Sequence, residues 1–259
     1  MRRAIGFAYG IACYAIFFGT FLYLIGFLAN FLVPKGIDDG VPGTAGLAVP
    51  IDFALIALFG VQHSVMARQS FKKWLAGLLP ASVERSTFVL ASSVALLVLF
   101  GLWRPLPQIV WSAQSPVARA VLWGGLLSGF GIVFLVSFMI DHFDLFGLRQ
   151  VWLDLVGRGY RHTPFQVTYL YKFVRHPLYL GLLLGLWATP RMTLGHLLFA
   201  FGMTSYLLIG IRYEERDLAR FLGEDYQRYR ERVPMLVPRI AKPHETISAQ
   251  PPFVDPLGR

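Results

Sequence analysis

The chain has 259 residues, 55% of them hydrophobic and only 15% charged, with a net charge of +9 and a mean hydropathy of +0.54. Soluble domains carry about 25% charged residues, so the composition excludes an ordinary water-soluble fold and points to a polytopic membrane protein. The basic residues are scattered among apolar spans instead of forming a stripe, which argues against nucleic acid as a partner and assigns the charge to the positive-inside bias.

Met1-Arg2-Arg3 opens a continuous apolar stretch, Ile5 to Val33. It is too long for a signal-peptide core and no small-residue cleavage site follows, so it reads as a retained first span. Crossing roughly 30 Å of hydrocarbon takes about 20 apolar residues, and the runs near 5–33, 51–67, 86–104 and 119–140 meet that length. Pro34, Pro42, Gly43 and Pro50 punctuate the first connection, Pro80 the second, and Pro105, Pro107 and Pro116 the third. Cys13 is the single cysteine, which excludes a disulfide framework and a cysteine metal site. Trp103, Trp111, Trp152 and Trp187 fall near predicted interfaces and read as belt residues.

The last third differs. Residues 178–189 are apolar but too few for a straight span, and Pro190 ends them; residues 194–211 form a full one. Together they predict a tight helical hairpin whose first arm begins at the polar segment 171–177. With the N-terminus in the cytosol and the hairpin counted as two crossings, 20 of the 24 Lys and Arg residues fall on the inner side. The pattern from 212 to about 239 is amphipathic and helical, and 240–259, with four prolines, reads as a loose tail. The expected fold is all-α: a polytopic helical bundle of five full transmembrane helices, a short hairpin arm and a cytoplasmic C-terminal helix. We expect one membrane domain over 1–239, with a four-helix N-terminal half (1–140) and a second half (141–239) that carries the chemistry.

Ionisable groups at membrane depth are costly and mark functional sites. Residues 175–181 read RHPLYLG. Pro177 starts a helix well and pushes His176 out of helical geometry. The first-turn amides are then open to a carboxylate or an adenine edge, Tyr179 offers a ring and a hydroxyl, and Gly181 permits close approach. The competing reading is a basic anchor at the headgroups. Glu214 and Glu215 stand where the next span leaves the membrane. Adjacent acids on a helix face different ways, so one can turn inward to a cationic ligand while the other meets solvent or pairs with Arg212 or Arg216.

His142 lies between Asp141 and Asp144 at the inner end of the fourth helix, where a carboxylate can orient an imidazole and raise its basicity. His63 sits near the inner end of the second helix, facing the same side or serving as an interfacial group. Arg68 and Arg85 read as headgroup binders. His196 falls at the outer turn, and His162 in a polar loop without distinguishing context. His63, His142 and His176 lack the spacing of a metal motif, and no metal is expected.

The order RHPxYxG, short apolar hairpin, EE, then GxxYxxYxxxVPxxxP resembles the isoprenylcysteine carboxyl methyltransferase and phospholipid methyltransferase superfamily of membrane enzymes. Here it is carried by Arg175, His176, Pro177, Tyr179, Gly181, Glu214, Glu215, Gly223, Tyr226, Tyr229, Val233, Pro234 and Pro238. One departure is Tyr169, where many members have glycine two residues before the tyrosine at 171. QHSVMAR at 62–68, ERST at 84–87, DHFDLFGLRQVW at 141–152 and WATPRMTLGHLLFA at 187–200 are similar to the bacterial methanethiol S-methyltransferases, related in their N-terminal half to NnrU-like membrane proteins.

The resemblance implies S-adenosylmethionine as methyl donor, S-adenosylhomocysteine as product, and a small volatile thiol as acceptor, giving dimethyl sulfide. It implies a cofactor site from Tyr171, Lys172, Val174, Arg175, His176, Tyr179, Gly181, Glu214 and Glu215. His142, Asp144 and His63 are then the candidates at the thiol, in a multi-pass protein of the bacterial inner membrane with both termini cytoplasmic. Other acceptors (a phospholipid amine, a prenylcysteine) and a non-enzymatic NnrU-like role remain as alternatives.

Overall fold

The computed structural model describes residues 1–42, 44–161 and 169–238. His162 and the tail expected over 240–259 lie outside the described residues.

Five helices are long and apolar enough to cross a membrane: α1 (Arg2–Ala29), α2 (Ala45–Met66), α4 (Ala81–Leu102), α5 (Pro116–Ile140) and α9 (Leu194–Leu222). Short helices join them: α3 (Gln69–Ala76), α6 (His142–Leu145), α7 (Leu148–Leu155), α8 (Pro177–Trp187) and α10 (Glu224–Arg232), with a 3₁₀ turn at Tyr169–Lys172. The chain is a multi-pass membrane bundle, as its hydropathy predicts.

Several boundaries shift by a few residues from expectation, and two of the differences have a clear physical cause. Pro50 lies inside α2 instead of before it. The hydrogen bond it cannot donate would go to Gly46, on the exposed first turn, where water serves that carbonyl at little cost. In addition, α9 runs without a break through the acids to Leu222, and only Gly223, at φ 56°, turns the chain into α10. Glu214 and Glu215 therefore ride on the spanning helix itself.

The hairpin is present but uneven. The 11 residues of α8 rise only about 16 Å, about half of α9's path from Leu194 to Glu215. Residues 188–193 make up the difference in extended form. Ala188, Thr189 and Pro190 are buried, and Arg191–Thr193 forms strand β2, pairing antiparallel with β1 (Ile109–Ser112). Non-helical backbone inside a bundle must find hydrogen-bond partners. The ribbon supplies them, together with Leu194 N–H to Gln108 O, Gly195 N–H to Leu106 O and Ala113 N–H to Pro190 O.

At this ribbon end Phe27, Phe100, Trp103 and Phe199 interlock, with ring centroids 4.7–6.2 Å apart. Trp103 is fully buried there, which corrects its assignment to the interfacial belt. The Lys35 ammonium donates to the carbonyls of Gly101 and Trp103, 2.8 Å each, closing the end of α4 over the ring.

The closest helix pair is α5 with α8, held by facing glycines. A Cβ on Gly129 would stand 2.5 Å from Gly185 N and 2.7 Å from Gly181 O. One on Gly125 would meet the Ala188 methyl at 2.9 Å, and one on Gly181 the Gly129 carbonyl at 2.7 Å. Gly125 and Gly129 on one helix and Gly181 and Gly185 on the other are small-xxx-small pairs, the pattern that lets helix backbones touch in lipid. The close approach expected at Gly181 is thus between two helices.

Candidate active site

At the opposite end of the bundle, α8 begins beside the last third of α9. Pro177 opens α8 at its first position, and His176, at φ −128°, stands just outside it. The predicted meeting of the two clusters is what the structure shows. His176 Nε2 lies 3.1 Å from Glu215 Oε1, and Arg175 Nε donates to the same oxygen at 2.8 Å. Glu215 Oε2 lies 3.7 Å from Arg230 of α10. His176 and Glu215 are buried, 4% and 8% exposed, so this is a desolvated cluster and not a surface pair. Glu214 turns the other way on the helix: its half-exposed carboxylate accepts from the Tyr179 hydroxyl at 2.9 Å and stands 3.9 Å from His176 Nδ1.

The C-terminal segment closes the cluster. One terminal nitrogen of Arg175 donates to Arg230 O and to Val233 O, carbonyls the end of α10 leaves unpaired. Arg175 N–H and His176 N–H donate to Pro234 O and Met235 O, 2.9 and 3.2 Å, and Tyr229 donates to Tyr171 O at 2.7 Å. A planar guanidinium suits this role because its fork serves a carboxylate and carbonyls at once. Lys172 lies exposed on the 3₁₀ turn and Val174, just after it, is buried.

Tyr226, absent from the residues expected at the site, is buried here with no hydrogen-bond partner for its hydroxyl among the described residues. Burial and the Glu215 carboxylate push its pKa up to about 12, so it keeps its proton and remains a donor. The GxxYxxY spacing could have nominated it, since it places Tyr226 and Tyr229 three apart on one helical face.

His142 and Asp144 lie elsewhere, on the α1–α5 side. The His142 ring is stacked on Phe138 at 4.2 Å, with Nδ1 2.7 Å from Ser137 Oγ and Nε2 2.8 Å from the Tyr14 hydroxyl. Ser137 gives its own hydrogen to Phe134 O at 2.6 Å, so Nδ1 carries the proton and Nε2 accepts from Tyr14. Hydroxyls hold this imidazole, then, where the sequence suggested a carboxylate. Asp144 instead accepts from Gln150 and Tyr160, 3.2 and 3.1 Å, and pairs with Arg149 at 3.5 Å.

Burial lowers the His142 pKa. As pH falls below about 6.5, the unfolded chain takes up a proton here that the folded one refuses, so stability present above that pH declines. Ser137→Ala should leave a buried N–H unanswered and lower the denaturation midpoint by the equivalent of about 1–3 kcal/mol. A guanidinium titration in detergent checks it.

His63 is different. Its Nδ1 lies 3.2 Å from Ser92 Oγ, and Ser92 gives its hydrogen to Phe88 O at 2.9 Å. Nδ1 therefore carries the proton, and Nε2 keeps an open lone pair with no partner among the described residues. The ring packs edge-on against Phe88 (4.7 Å) and Tyr206 (6.1 Å), and Tyr206 packs against the same core as Tyr179. His196, by contrast, is fully buried at the ribbon end, bonded to Leu186 O.

The chain is 47% identical to the methanethiol S-methyltransferase of Mycobacterium tuberculosis over 238 residues, covering 92% of this chain and 98% of that one. It is 51% identical to methanethiol S-methyltransferase 2 of Bradyrhizobium diazoefficiens, over 90% and 89% of the two chains. A more distant likeness joins it to Nurim of Xenopus laevis, 30% identical over 82% and 81%. No family model matches the sequence, and no solved structure matches it. Near-half identity sustained over nine-tenths of the chain spans both the bundle and the His176–Glu215 cluster: the chain belongs to the methanethiol S-methyltransferase family.

Proposed function

We propose that the protein transfers a methyl group from S-adenosylmethionine to methanethiol, giving dimethyl sulfide and S-adenosylhomocysteine. The carrying observation is the buried cluster of Arg175, His176 and Glu215, with Glu214 beside it. These residues fit the donor: Glu214 offers a carboxylate to a cationic amino or sulfonium group, and the Tyr226 hydroxyl, without a partner among the described residues, has a hydrogen bond to give. Tyr171, Lys172, Val174 and Tyr179 complete the binding face, and Gly181 seats α8 against α5 beneath it. When bound, S-adenosylmethionine supplies a methyl group already activated on a sulfonium.

The chain's own task is to align the thiol and remove its proton, since the thiolate is the nucleophile. Of the three residues expected at the thiol, His63 suits proton removal: its Nε2 is open, whereas both nitrogens of His142 are engaged and Asp144 is tied to Arg149, Gln150 and Tyr160. The basic-residue distribution supports an inner-membrane placement with both termini and the donor site facing the cytosol.

Purified protein in detergent, given methanethiol and S-adenosylmethionine, is expected to release dimethyl sulfide into the headspace. Protein that binds the donor and yields no sulfide would refute the thiol assignment.

A further inference from the structure

Arg85, the fifth residue of α4, reads from sequence as a headgroup binder. In the structure it turns into the protein. Its Nε donates to Leu145 O, the end of α6, at 2.7 Å, and its guanidinium lies 5.0 Å from the centre of the Phe88 ring. That same ring packs 4.7 Å from His63. The two are thus neighbours across one aromatic side chain.

The position is built in. Next to Arg85, Ser86 donates to Gly147 O at 3.3 Å. Gly147, at φ 89°, comes so close that a Cβ there would stand 2.7 Å from Ser86 N. No larger residue fits, so the α6–α7 turn is pinned to α4 and the guanidinium with it. The half-buried Arg85 spends one N–H on Leu145. Its two terminal NH₂ groups have no hydrogen-bond partner among the described residues.

We infer that Arg85 holds the substrate sulfur as thiolate while His63 Nε2 takes its proton. This rests on the thiol reading above. In the step, the S–H bond breaks, the proton passes to Nε2 and the electron pair stays on sulfur opposite the guanidinium. A preorganised cationic donor is suited to the negative charge that develops on sulfur, and the Phe88 and Tyr206 rings that pack on His63 offer an apolar surface to the methyl group.

The test is the pH dependence of kcat/KM for methanethiol in wild type, Arg85→Gln and Arg85→Lys, with S-adenosylmethionine affinity measured by calorimetry. Arg85→Gln should lower kcat/KM at neutral pH by roughly 10²-fold and move the rising limb toward the pKa of the free thiol. Affinity for the donor should stay within about twofold, and added guanidinium ion should restore part of the rate. Arg85→Lys should show a smaller shift in the same direction, and decides the matter if the glutamine variant does not fold.

A rising limb unchanged in both variants, or donor affinity falling in parallel with rate, would assign Arg85 to scaffolding and overturn the inference while leaving the reaction intact. Absence of dimethyl sulfide from wild type would overturn the reaction reading itself.

Discussion

Glu215→Gln should lose S-adenosylmethionine binding by 100-fold or more and destabilise the protein together. The carboxylate meets Arg175 at 2.8 Å, His176 at 3.1 Å and Arg230 at 3.7 Å, and the Arg175 and Glu215 side chains are only 9% and 11% exposed. Removing one partner of a buried pair costs about 3–5 kcal/mol, because the stranded charge keeps its desolvation penalty. Each 1.4 kcal/mol is a factor of ten in an equilibrium, so part of that cost suffices for the loss of binding. Glu214→Gln is the informative contrast. Its side chain is 46% exposed and its partner is a tyrosine, so folding should change by no more than about 1 kcal/mol. If this acid meets the donor's positive charge, affinity falls while the denaturation midpoint holds. Calorimetry paired with thermal melting separates the two acids; a Glu215→Gln protein with ordinary affinity would remove the cluster from the binding site.

Gly129→Ala should damage binding from a position outside the charged cluster. Its new methyl would fall 2.5 Å from Gly185 N and 2.7 Å from Gly181 O, both backbone atoms that cannot rotate away. The helices must separate. Overpacking of this kind costs about 1–3 kcal/mol and occasionally more. Because His176 caps the N-terminus of α8, the displacement reaches the Glu215 contact directly. We expect a lower melting temperature and weaker S-adenosylmethionine binding together. Gly131→Ala, two residues along the same helix, meets nothing within 4 Å and should leave both unchanged. Equal behaviour of the two variants would mean that the facing glycines do not set the position of α8.

Much of the site was readable in one dimension because its parts are strung in order. RHPxYxG, a short apolar arm, the paired acids and the GxxYxxY helix stand close along the chain, and a hairpin is the simplest way to bring the first to the third. The partner choices were not readable. That Glu215 turns inward and Glu214 outward depends on the rotation of α9 about its axis, which packing against α2 and α8 decides. His142 illustrates the limit: two carboxylates flank it in sequence, yet Tyr14 and Ser137 hold its ring, one of them 128 residues away. The opposed glycine pairs carried a legible pattern, GxxxG in each helix, but their meaning required knowing that α5 and α8 are neighbours. Tyr226 likewise had a spacing signal and lacked only a contact to give it a role.

The membrane class, the number of spans and the strong sidedness of the basic residues follow from the sequence alone, because hydropathy and charge bias are sums over local residues and need no contacts. Tertiary structure alone decided that α9 carries the acids, that an extended strap completes the short arm, that both ring nitrogens of His142 are engaged while His63 Nε2 has no partner among the described residues, and that Arg85 points inward. Each of these is set by side-chain direction and by partners far along the chain. Such pairings arise only when helices settle against one another at particular rotations and depths, and a linear pattern does not encode either quantity.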